Sequence, residues 1–124
     1  MNGSISVNWL KEPANPKWAK DPAMKEYKAL MAKFMPSSDA NNQLYYYGFA
    51  KGETFVQAMY KAGKNPTRAS FRQALESLRG LDLGIGAPLT FGPERHQGLD
   101  NVYFTRVNSE RGVPVADWSA AVRA

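Results

Sequence analysis

The chain has 124 residues, of which 44% are hydrophobic and 22% charged; that suits one domain with one core and excludes a two-domain enzyme, a disordered tail or a collagen-like repeat. The absence of cysteine removes disulfide frameworks, thiolate zinc sites and cysteine nucleophiles. A formal charge of +5 suggests an anionic partner, yet residues 1–62 hold eight Lys or Arg against five acids and residues 63–124 hold eight against six, so no basic arm or stripe forms. No stretch approaches the ~18 consecutive apolar residues of a membrane-spanning helix, and the first residues lack the apolar run of a secretory signal.

Ser4-Ile5-Ser6-Val7-Asn8-Trp9 alternates polar and apolar residues, which predicts a strand over 4–10 with Ile5, Val7 and Trp9 on one face. Pro13 and Pro16 each remove a backbone donor and push the preceding residue into extended geometry, so 12–16 reads as a stiff connector. Asp21-Pro22 is a helix start, followed by an apolar stripe of Met24, Tyr27, Leu30, Met31 and Phe34 that should end before Pro36. After a polar loop, Asn41 or Asn42 can cap a helix over 43–62, the most apolar part of the chain, which is expected to be covered on most sides with Gly48 and Gly52 admitting another backbone. Gly63 is its expected stop.

Thr67 can cap a third helix, over 67–78, with Phe71, Ala74, Leu75 and Leu78 on one face and Gly80 at its end. Beyond it, glycines and prolines punctuate apolar runs at 89–91 and 102–107, which suggests a two-stranded excursion. Residues 108–112 read as a turn into a last short strand over 113–116, with one helical turn in the tail. No repeat of 20–50 residues is visible.

His96 is the sole candidate for a base at neutral pH, but it lies in a polar loop with neither a Gly-x-Ser-x-Gly elbow nor a His-Glu-x-x-His pair, so a solvated or structural role is expected. Gly84-Ile85-Gly86 opens like a dinucleotide fingerprint, but Leu89 occupies the third glycine position. Glu94 and Asp100 carry no sign of the burial that would make one a proton donor. Tyr45-Tyr46-Tyr47 with Phe49 is the most informative cluster: its rings are core material, or an aromatic wall with a phenol to orient a small ligand. Trp9 and Trp18 carry the same two readings.

The order of these segments resembles the C-terminal third of type 1 periplasmic ligand-binding proteins of ABC transporters, with the branched-chain amino acid (Leu/Ile/Val) receptors as the nearest group. The resemblance covers nearly all of residues 3–118. It is carried by the strand and proline connector, by Asp21-Pro22-Ala23-Met24-Lys25-Glu26-Tyr27, by Leu44-Tyr45-Tyr46-Tyr47-Gly48-Phe49-Ala50 and Val56-Gln57-Ala58-Met59-Tyr60-Lys61-Ala62-Gly63, and by Gly86-Ala87-Pro88-Leu89-Thr90-Phe91-Gly92-Pro93 with His96-Gln97-Gly98. Many relatives carry an acid after the aromatic of the long helix, where this chain has Ala50, so a polar ligand contact from that position is not expected.

The resemblance implies an α/β fold, with helices packed on a small incomplete sheet, as a single partial domain (1–124) of a two-lobed extracellular receptor. Such a receptor closes like a hinge on a small solute, an amino acid or related organic acid including aromatic ones, and delivers it to an ABC permease. It is not an enzyme and needs no cofactor or metal. Tyr45, Tyr46 and Phe49 are the expected ligand-binding residues here, and Pro13 and Pro16 lie near the expected interlobe crossing. The family's polar ligand contacts lie upstream of this segment, so Met1-Asn2-Gly3 reads as a start placed at an internal boundary of a periplasmic protein whose secretion signal is elsewhere. The apolar faces exceed what two or three short strands can cover, which predicts self-association. The alternatives are a small basic nucleic-acid-binding domain, disfavoured by the mixed charges, and a small hydrolase built on His96.

Overall fold

The computed structural model describes residues 4–99, 101–110 and 113–123, with side chains described through residue 107. Strand β1 (Ile5–Asn8) leads through a short 3-10 turn at Pro16–Trp18 into α1 (Pro22–Phe34), α2 (Gln43–Ala62) and α3 (Arg68–Glu76), and the chain closes with strands β2 (Asn101–Glu110) and β3 (Val113–Arg123). The fold is α/β, with three α-helices beside a small antiparallel sheet of order β1-β2-β3.

The helices begin where the sequence caps them. Asp21 accepts the Met24 amide at 3.0 Å, and Pro22 fills the first helical position, where its missing donor is not needed. Asn42 caps α2 through the Leu44 amide at 2.9 Å, while Thr67 and Ser70 form a reciprocal capping box on α3. Gly63, at φ 89°, ends α2 in a conformation that a side chain would strain.

One core joins β1, α1, the first half of α2 and the 84–87 segment: Leu10, Met24, Tyr27, Met31, Tyr46, Ala50 and Ile85 are all buried. In α1 the apolar stripe faces inward as expected at Met24, Tyr27 and Met31, but Phe34 at its end is exposed. In α2 the buried face is Tyr46, Ala50, Thr54 and Ala58, at four-residue steps. Apart from Tyr46 and Phe49, most of its large apolar side chains lie on the other faces, with Leu44, Tyr47, Phe55, Val56 and Tyr60 all exposed, Tyr60 by 80%. The expectation that α2 is covered on most sides is therefore corrected: it is buried along one line, through Tyr46 and then the small residues Ala50, Thr54 and Ala58. Apart from the helix's own backbone, no atom comes within 4 Å of where a Cβ would stand at Gly48 or Gly52, so among the described residues these glycines do not admit a neighbouring backbone.

β1 is shorter than expected and turned the other way. Asn8 and Leu10 face inward, while Ile5, Val7 and Trp9 are exposed. Asn8 is tolerated inside because its carboxamide donates to Glu12 and accepts from the amides of Trp9 and Leu10. The run 89–91 does not pair with β2. Leu89 instead exchanges two backbone hydrogen bonds with Leu81, of 2.7 and 2.9 Å, and Phe91 donates to the Leu78 carbonyl. α3 stops at Glu76 with Ser77 as its cap, two residues before the expected end. β2 lies between β1 and β3, and β3 runs on to Arg123, which replaces the expected helical turn in the tail; Arg111 and Gly112 of the expected turn fall outside the described residues.

Candidate functional site

The aromatic cluster at the start of α2 divides by direction. Tyr46 is fully buried, its ring edge-on to Tyr27 at 4.8 Å and stacked on Phe49 at 6.0 Å. Phe49 also meets Tyr27 at 5.4 Å and is partly buried against the core. Tyr45 is exposed, and Tyr47 projects from another side of the helix. Of the three expected site residues, the structure thus brings Tyr46 and Phe49 together inside and leaves Tyr45 as the one that presents surface.

The hydroxyls of Tyr27 and Tyr46 are buried and make no hydrogen bond among the described residues. Burial pushes the Tyr46 phenol well above its ordinary pKa, and the nearby Asp21 carboxylate and the Tyr27 phenol raise it further. Tyr27 is raised by burial too, then by Asp39 and Tyr45. Both are neutral donors at any physiological pH.

A second feature, absent from the sequence reading, is an open apolar cavity of about 900 Å³ bordered by Trp9, Tyr47, Phe55, Phe71, Phe91 and Val102. Phe55 of α2 and Phe71 of α3 form one wall, with ring centroids 5.3 Å apart. Three of the polar groups at its edge are turned to other partners. The Thr54 hydroxyl donates to the Ala50 carbonyl at 2.9 Å, the Lys51 ammonium lies 4.0 Å from the Tyr47 ring centroid, and His96 Nε2 is 3.4 Å from Glu76 Oε1. No charge converges on the space, so it suits apolar packing better than a zwitterion. The residues that border it are spread from Trp9 to Val102, and no local sequence pattern links them.

The stretch from β1 to α1 is held tightly. The Lys11 ammonium donates to Asp21 Oδ2 at 2.5 Å, with both side chains mostly buried, and lies 5.0 Å from the Trp18 ring centroid. Asp21 thereby caps α1 and anchors the proline connector at once. Gly86 has a packing role: its bridge to Leu10 brings the strands so close that a Cβ would overlap the Trp9 carbonyl and lie 2.9 Å from Leu10 Cα. The Gly84-Ile85-Gly86 run is thus a backbone crossing. His96 is exposed, as expected of a loop histidine, and no group of three metal-ligating side chains occurs among the described residues.

A family model described as periplasmic binding protein matches residues 5–112. Among solved structures, the crystal structure of a possible leucine/isoleucine/valine-binding protein from Rhodopirellula baltica SH 1 is similar, with 25% identity and a TM-score of 0.69. That match covers 96% of this chain and 30% of the other, so this chain spans less than a third of the relative's length. No curated protein matches. The match over nearly the whole described length, on a fold of the same shape, leads to one conclusion: this chain belongs to the periplasmic binding protein family.

Proposed function

We propose that the chain is part of the solute-binding component of an ABC importer, acting in the periplasm and binding an amino acid or related small organic acid by closure of two lobes. The observation that carries this reading is the family match over residues 5–112, joined to the likeness to a possible leucine/isoleucine/valine-binding protein. Toward the other lobe, Tyr45 supplies an accessible aromatic face. Tyr46 and Phe49, stacked on each other and packed against Tyr27, set the position of the first turn of α2. The proline connector, fixed at Lys11–Asp21, is the interlobe strap. A permease is the membrane partner, and copies of the isolated chain associate through apolar surface that the described fold leaves open.

A thermal-shift screen of leucine, isoleucine, valine and aromatic acids against the full-length receptor tests the reading. A true solute at a hundred times its dissociation constant stabilises the native state by ~2.7 kcal/mol. Tyr45→Ala should weaken that solute by roughly tenfold, about 1.4 kcal/mol. If none of these solutes raises the melting temperature, the amino-acid reading is lost, and if Tyr45→Ala binds as the parent does, the site assignment is lost.

A further inference from the structure

The sheet and the helices share little of the core. Every buried apolar side chain among the described residues lies between Leu10 and Ala87, and the strands bury only the polar side chains of Asn8 and Thr105. Between Val102 of β2 and the rings of α2 and α3 lies the open cavity. Among the described residues, then, the angle between sheet and helices is set less by packing than by the backbone that passes from one to the other. The chain makes that passage after Asn8 and again just before Asn101, where β2 begins.

The first passage is firmly built. Asn8 ends β1 opposite Tyr103, and directly after it the backbone is fixed on the other side: the Trp9 carbonyl accepts from Ala87, and the Lys11 amide donates to the Ile85 carbonyl. Between these two anchorages, Asn8 Oδ1 accepts from the amides of Trp9 at 2.8 Å and Leu10 at 3.2 Å. A side-chain oxygen that takes the next two amides curls the chain out of a strand. The same carboxamide donates through Nδ2 to Glu12 Oε1 at 3.2 Å. Glu12 opens the proline connector, and its carbonyl accepts from the Asn15 amide at 3.0 Å. One buried side chain thus joins the end of the sheet, the turn and the connector.

We propose that Asn8 is a positioning residue: its carboxamide sets the angle at which the sheet leaves the helices, and so aligns the two parts for closure on a solute. The clause on closure rests on the two-lobe reading above, and the clause on the angle does not. The chemistry is selective, because the position needs an acceptor for two amides and a donor for a carboxylate on one short side chain. Leucine has the size and neither function. Aspartate keeps the acceptor but sets a second carboxylate against Glu12, a conflict that Glu12→Gln removes by returning a donor to the pair.

Pulsed dipolar distance measurement on the full-length receptor tests this, with spin labels at Lys25→Cys on α1 and Arg106→Cys on β2. Both positions are exposed, and this chain has no cysteine of its own. Asn8→Leu should roughly double the width of the distance distribution or shift its centre, and Asn8→Asp should do the same. Adding Glu12→Gln to Asn8→Asp should restore the parent distribution, which a general loss of stability would not do. Titration with leucine, isoleucine and valine reads the second clause: Asn8→Leu should weaken whichever of them binds by roughly fivefold, and the double variant should bind as the parent does. A distribution that ignores Asn8→Leu, or a double variant as disturbed as Asn8→Asp alone, overturns the proposal. Where Asn8→Leu does not fold, the Asn8→Asp pair of variants decides. A distribution that responds while affinity does not overturns the role in closure and supports the role in the angle. A distribution that responds in a receptor that binds none of the three supports the angle and counts against the amino-acid reading instead.

Discussion

The two ends of α2 live in different surroundings although their compositions are alike. The Tyr46 side of the helix is closed: Tyr27 and Phe49 flank the ring, Met24 and Met31 lie in the same core, and Lys28 of α1 donates to Asn41 in the loop before the helix. Around Phe55 it is open, with the ring half-exposed and touching Phe71 across a wall of the cavity. Each end carries large apolar rings, but only at the first is one of them, Tyr46, fully enclosed, while Leu44, Tyr45 and Tyr47 beside it stay exposed. Aromatic content alone therefore does not locate a core, because burial needs a second surface at the right distance, and that surface comes from elements remote in sequence.

Substitutions that treat the two ends alike would break this comparison. Tyr46→Ala should lower unfolding stability by about 3–5 kcal/mol, as expected when a fully buried ring leaves a cavity, whereas Phe55→Ala should cost under ~1 kcal/mol. Denaturant unfolding of the two variants side by side measures the gap, and equal losses would mean that the open end is covered in solution. Gly86→Ala should follow at roughly 1–3 kcal/mol by overpacking the crossing with Trp9 and Leu10; a neutral result would show that the crossing can relax.

The smaller effects sharpen the closed end. Both buried phenols have pKa values raised above the ordinary value of about 10, so the folded state keeps their protons longer than the unfolded chain does. Their contribution to stability is full below pH ~10 and is lost as pH rises from there toward their folded values. Alkaline titration should show the Tyr46 phenolate appearing together with unfolding, and a phenolate that forms in the intact fold would contradict the burial. Tyr46→Phe removes an unpaired buried hydroxyl and should leave stability unchanged or raise it by up to about 1 kcal/mol, with steeper retention of structure in base.

Helix positions were readable because each start has a local chemical cause: Asp21-Pro22, Asn42 and Thr67 all cap where their side chains predict. The family resemblance was readable too, since it lies in the order and spacing of short segments, and it holds over 5–112. The facing of β1 was not. Alternation shows that Ile5, Val7 and Trp9 share a side, but which side meets the core depends on Leu10 reaching α1 and on Asn8 finding Glu12 as a partner. The partner of the 89–91 run was equally hidden, because pairing back to Leu81 or forward to β2 requires the same extended backbone.

Of the candidate site, the choice of residues at 45–49 came from the sequence, while their separation into one accessible and two inward rings depended on how α2 is rotated against α1. By itself the sequence determined where the helices begin, because caps and prolines act within a few residues of chain. Only the tertiary structure decided which faces are covered and that a large apolar cavity stays open, because coverage is a property of surfaces brought together from positions as distant as Trp9 and Val102.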